Sequence, residues 1–185
     1  MDPERGSWGE RGGGSSARPK SPDPELTIEQ LLARGMSQQL HWFGREVSAA
    51  RLAAVLAGMA NTSGGHVLIG VAPSSGQVLG VAEPDELFDL VFEACLMVDP
   101  PLVLPLPRLI PLGELKLLQV SVPDGLPHVY NLDGRYLWRE AAQTNPIPAR
   151  QLRRLLLQRG LVQFESQVPP GASLEDLDPE KVQAY

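Results

Sequence analysis

The stretch Ala60-Asn61-Thr62-Ser63-Gly64-Gly65-His66-Val67-Leu68-Ile69-Gly70-Val71 decides how this chain is read. The apolar spacing before it is helical, with Leu52, Val55, Leu56 and Met59 on one face. After two glycines it becomes a run of β-branched and aliphatic residues. A helix therefore ends at Asn61, a tight turn follows, and a strand leaves at once. Asn is expected to close the helix through the left-handed backbone that it tolerates, and Gly adopts that backbone at no steric cost.

The elements around this joint alternate in type. Leu26 to Gly35 has helical spacing, with Thr27 as its cap, and Gln39 to Phe43 reads as a short strand. Ser48 opens the Ala-rich helix that runs into the joint. Gln77 to Val81 is expected to return as a strand after the turn Pro73-Ser74-Ser75-Gly76, and Pro84 starts a helix reaching about Val98. That helix places Leu87, Phe88, Val91, Phe92, Cys95 and Val98 on an apolar face, and Asp99-Pro100-Pro101 ends it. Strands follow at Arg108–Leu112 and Glu114–Val122, then a hairpin from His128–Asn131 to Arg135–Arg139 around Asp133-Gly134. A helix from Ala149 to Arg159 closes the series. Interspersed helices and hairpins predict a compact α+β domain with a mixed, largely antiparallel sheet and flanking helices.

Its 185 residues hold one domain with tails. Residues 1–24, rich in Gly, Ser, Pro and Arg, have little to bury and are expected to form a disordered arm. Residues 25–160 form the domain, and 161–185 an extended tail. The net charge is −6 and the pI near 5.1, which excludes a uniformly basic nucleic-acid protein. The charge is uneven, however. From Gly134 to Gly160, Arg135, Arg139, Arg150, Arg153, Arg154 and Arg159 face only Glu140. Cys95 is the single cysteine, so no disulfide forms within the chain. With no apolar run of about 20 residues and no signal-peptide pattern, the expectation is a soluble, cytoplasmic protein without membrane contact.

Several motifs, in order, resemble the Schlafen AlbA_2 family. The Asn61–Val71 run resembles its "N-T-x-G-G" joint and following strand, with Asn61, Thr62, Gly64, Gly65 and Gly70 as the matching positions. Ser75-Gly76-Gln77-Val78-Leu79-Gly80-Val81 resembles its hairpin return. Pro123, Pro127 and Tyr130 resemble its proline step, and Gly134-Arg135-Tyr136-Leu137-Trp138-Arg139 resembles its "G-x-Y-(Y/W)-x-R" strand, with Thr144-Asn145 after it. The resemblance spans about residues 26–160. It implies a DNA-binding domain of a transcriptional regulator, a winged-helix region further along the chain, and the pairing of two lobes, here as a homodimer. It also brings an alternative, the metal-dependent RNA endonuclease activity of some Schlafen proteins.

One departure bears on that alternative. The x-x-x-L-E-F-K part of the family's opening "E-x-x-x-L-E-F-K" falls on Ser37 to Phe43, where His41 replaces the second Glu and Phe43 the Lys. A divalent cation wants carboxylate oxygens, which neither residue supplies, although Glu46 lies nearby. No catalytic residue, metal or cofactor is expected, and His41, His66 and His128 lack ligand-like spacing. The Gly64-Gly65 turn runs from helix to strand, opposite to a nucleotide-binding loop, and reads as structural.

The binding residues expected are Arg135, Arg139, Arg150, Arg153 and Arg154. Arg150, Arg153 and Arg154 share one helix face, as a phosphate-contacting ridge or as an ordinary solvated face. Arg139 either holds the fold or grips a phosphate. The ligand implied is DNA, or RNA. A third reading is a degenerate interaction domain that binds protein rather than polynucleotide, which the acidic pI favours.

Overall fold

The computed structural model describes residues 27–160. The expected arm (1–24) and tail (161–185) lie outside the described residues. Helix α1 (Ile28–Arg34) begins at a capping box in which Thr27 and Gln30 bond each other's backbone N–H groups. Strand β1 (Leu40–Phe43) leads to α2 (Ala49–Ala60), whose cap is Ser48. After β2 (Gly65–Ile69) come α3 (Pro84–Leu96), β3 (Val98–Asp99), β4 (Arg108–Leu112) and β5 (Leu115–Val122). The described part ends with β6 (Asn131–Leu132), β7 (Arg135–Glu140), β8 (Gln143–Pro146) and α4 (Ala149–Gln158).

The α+β class stands, but the strands divide into two four-stranded sheets. One has the order β1-β2-β5-β4, the other β3-β6-β7-β8. Among the described residues only β1 and β2 run parallel; the other pairs are antiparallel. Strand β2 is covered on both faces. Val67 and Ile69 join the main core with Leu52, Leu56 and Met59 of α2, while Leu68 joins Ile28, Leu40, Trp42 and Leu117 in a smaller core. Alternating side chains produce this two-sided burial. Small residues let α2 lie close to the second sheet: a Cβ on Gly58 would stand 3.1 Å from Thr144 Cγ2.

The joint departs from expectation in one respect. Asn61 stays in the right-handed region (φ −82°), and the reversal is made by Gly64 (φ 64°) and Gly65 (φ 141°). Both glycines are also forced by space. A side chain on Gly64 would strike the backbone of Val122 to Asp124, and one on Gly65 would strike that of Gln39. Asn61 instead spends its side chain on the second sheet. Its Nδ2 donates to the carbonyls of Tyr130 (2.7 Å) and Leu137 (2.8 Å), and its Oδ1 accepts from Tyr130 N (2.8 Å).

Three other expectations need correction. Gln77–Val81 is not a strand: only Val78 bridges, to Val71, and Leu79 and Gly80 both donate to the Gly70 carbonyl. Two amides sharing one acceptor form a bulge, not a regular ladder, and the positive φ of Gly76 and Gly80 turns the chain away. The segment His128–Asn131 pairs only from Asn131, because Tyr130 is held by Asn61 instead. On α3, Phe92 faces outward, 49% exposed, while Val91, Ala94 and Cys95 carry the buried face.

Asn61 is 4% exposed, so its loss leaves a buried amide and two carbonyls without partners. Asn61→Ala is expected to lower the free energy of unfolding by about 3 kcal/mol in urea titration. A loss below about 1 kcal/mol would mean the joint does not depend on these bonds.

Candidate nucleic-acid interface

Helix α4 has the sequence Ala149-Arg150-Gln151-Leu152-Arg153-Arg154-Leu155-Leu156-Leu157-Gln158 and contains no acidic residue. Pro148 precedes it with the extended backbone that suits a helix start. Its leucines turn inward and are half-buried, while Arg150, Arg153 and Arg154 are exposed. The structure thus brings together three of the five expected binding residues. Spacings of three and four residues put them on one face, with Arg150 and Arg154 about 6 Å apart along the axis.

No residue of α4 is fully buried. Its far end is fastened by Arg159, whose guanidinium donates to the carbonyls of Ala60 (2.9 Å) and His128. Burial lowers the Arg159 pKa, while Tyr130 and Asp124 raise it. This arginine serves the fold and links α4 to the end of α2.

Arg139 is the correction among the expected residues. It is 2% exposed. Its guanidinium donates to the carbonyls of Ser37 (2.7 Å) and Gln38 (3.4 Å) and to Thr144 Oγ1 (3.1 Å), while its backbone N–H donates to Thr62 Oγ1 (2.9 Å). A guanidinium committed to buried acceptors is not offered to a phosphate, so Arg139 leaves the interface. Burial draws its pKa below the ordinary value. Its partners are two carbonyls and a hydroxyl, so of the two expected roles it holds the fold. Arg135 lies exposed at the start of β7, after a turn in which Asp133 (φ 50°) and Gly134 (φ 75°) both adopt positive φ.

A cavity of about 320 Å³ opens beside the arginine ridge. It is lined by the Asn61–Ser63 turn, by Trp138, and by Gln151, Arg154 and Leu155 of α4. Sequence reasoning missed it, because its walls come from three separated segments.

His41 and Phe43, at the family's Glu and Lys positions, form an aromatic pair with ring centroids 4.7 Å apart. Phe43 is 4% exposed within the main core, and the Arg51 guanidinium lies 5.7 Å above its ring. The Nδ1 of His41 and the Nε1 of Trp42 are buried without a hydrogen-bond partner. Trp42 is 6% exposed, in the smaller core rather than at a surface. Among the described residues no three His, Cys, Asp or Glu side chains are grouped to hold a metal ion. Burial pushes the Cys95 thiol up to about 11, so it stays protonated at neutral pH. No helix among the described residues is long and apolar enough to cross a membrane.

The family model described as Schlafen, AlbA_2 matches residues 38–148, from the chain before β1 to the start of α4. Among solved structures, the chain is similar to the DIP2311 protein from Corynebacterium diphtheriae, at 18% identity and a TM-score of 0.50. That similarity covers 79% of this chain and 28% of the other, so this chain spans a little over a quarter of that protein. It is also similar to the N-terminal domain of a RecG-related protein from Nitrosomonas europaea. The identity is 20% and the TM-score 0.48, with 65% of this chain and 90% of the other covered. No curated protein matches the chain significantly.

The environment of His41 has a measurable consequence. Its pKa falls from 6.5 to about 4, first through burial, then through the positive charges of Arg139 and Arg51. The unfolded chain therefore takes up this proton at a higher pH than the folded one. Stability tied to His41 is full above about pH 6.5 and is lost as the pH falls toward 4. Burial shifts His66 in the same direction. His41→Phe is expected to flatten, without abolishing, the fall in Tm between about pH 7 and about pH 4.5. An unchanged pH profile would contradict this account.

Proposed function

The chain belongs to the Schlafen, AlbA_2 family, and we propose on that footing that its domain binds nucleic acid, DNA first, through backbone phosphates. The observation that carries this reading is the α4 ridge. Arg150, Arg153 and Arg154 project from one exposed, acid-free helix face in a protein of net charge −6. Local positive charge against an acidic background marks a contact surface for polyanions. Arg135, exposed at the start of β7, completes the proposed set of phosphate-contacting arginines. Contacts of this kind bind phosphate without reading bases.

The role proposed is that of a regulator's binding module, without a catalytic step of its own. His41 and Phe43 in place of the family's Glu and Lys support this over the endonuclease alternative. Two copies side by side would present two ridges to one duplex, the arrangement that paired Schlafen lobes suggest, and sedimentation velocity with and without DNA tests it.

A second reading, a protein-interaction domain, is favoured by exposed apolar side chains. Leu96 at the end of α3 is 72% exposed, and Val103 and Leu106 in the following proline-rich loop are 84% and 72% exposed.

Fluorescence anisotropy with labelled duplex DNA and structured RNA, at low and moderate salt, separates these readings. Micromolar, salt-sensitive binding is expected. Changing Arg150, Arg153 and Arg154 together to Ala should weaken it and flatten the log–log salt dependence by about 0.9 per lost duplex contact. Absence of binding at low salt, or an unchanged salt slope in the triple variant, would overturn the phosphate reading for this surface.

A further inference from the structure

We propose that the cavity beside α4 receives a single unpaired nucleobase, which makes the preferred ligand a strand with unstacked bases rather than a continuous duplex. The proposal rests on the phosphate-binding reading of the ridge and adds to it a substrate class.

The dimensions leave room for a base. A cavity of about 320 Å³ lies at the lower end of the range for small-ligand sites. Its walls carry the chemistry that a base needs. Trp138 offers an aromatic surface for stacking, and Ile147 and Leu155 add apolar contact. Gln151 and Gln158 carry amides, which both donate and accept and so suit the edge of a base. Arg154 lines the cavity and also belongs to the ridge, so one side chain reaches both the opening and the backbone outside. A phosphate held on the ridge at Arg154 therefore leaves its own nucleotide next to the opening. A paired base is held in its stack and cannot enter without the cost of unstacking, whereas an unpaired one enters freely.

The wall opposite α4 is tied down by hydrogen bonds. Thr62 donates to the Gly58 carbonyl at 2.6 Å and accepts from Arg139 N, and the Ser63 carbonyl and hydroxyl accept from Gln39 and Gln38. Asn61 is fixed by its three bonds to the second sheet. The site is preformed on that side, which spares the ordering cost of binding.

The test compares two fluorescein-labelled 12-nucleotide strands with equal phosphate number, an oligothymidine and one whose bases are replaced by abasic tetrahydrofuran units. With the full chain, the intact strand is expected to bind about tenfold more tightly or better, with similar salt slopes for the two. Trp138→Ala should bring the two affinities together. Because that change touches β7, the double variant Gln151→Leu, Gln158→Leu on the exposed side of α4 is the second, removing the amides that meet the base edge, and it too should narrow the ratio. Equal affinity of the unaltered protein for both strands, with salt-sensitive binding retained, overturns the base site and leaves the phosphate reading intact. Failure of both strands to bind overturns the phosphate reading and this inference with it. A base preference that persists undiminished in both variants places the base elsewhere and also overturns the assignment.

Discussion

The Asn61 carboxamide is the interaction on which the rest of the structure depends. It sits at the last turn of the central helix and makes three bonds to the backbone of the second sheet, at Tyr130 and Leu137. Two sheets share no ladder hydrogen bonds, so something else must set their relative position. Apolar packing supplies most of the attraction but little direction. Directional bonds in a buried setting supply the register, since a small slip would leave several polar groups without partners. Thr62, bonded to Gly58 and to the Arg139 amide, repeats the arrangement one residue later. The motif thus joins the sheets through its first two residues and reverses the chain through its two glycines.

How much of this is visible in the sequence depends on range. Helices α1 and α2 are legible because their caps and apolar periods are local, and α4 through its apolar period. The β4–β5 and β6–β7 hairpins are legible because Gly113 and Asp133-Gly134 mark them. The two-sheet division is not, because Asn61 bonds to residues 69 and 76 positions away. Strand β8 carries the polar sequence Gln143-Thr144-Asn145-Pro146 and forms because β7 offers it a ladder, against its own propensity. Strict alternation places Arg139 with buried Leu137. It does not say that the carbonyls of Ser37 and Gln38, 102 and 101 positions earlier, wait opposite.

The arginines illustrate how one residue type divides its work within 25 positions. Arg139 and Arg159 satisfy carbonyls in the interior and at its margin, where a planar fork with several donors fits better than a lysine ammonium. Arg150, Arg153 and Arg154 keep their charge in water. Composition counts them together, and only burial separates them. Burial first, and then the charge of Arg139, lowers the pKa of His41. A glutamate at position 41, as in the family pattern, would neutralise that guanidinium, whereas the histidine present remains uncharged beside it.

Helix α4 is attached by half-buried leucines and one guanidinium, not by a fully buried face. Elements held in this manner open locally at a lower free energy than the core, so hydrogen exchange along α4 reports on the helix alone. Any ligand that bridges the ridge and the Asn61–Ser63 turn also immobilises the helix. Its affinity then contains a debt of ordering, and a change in the inward leucines would alter binding without touching a single contact.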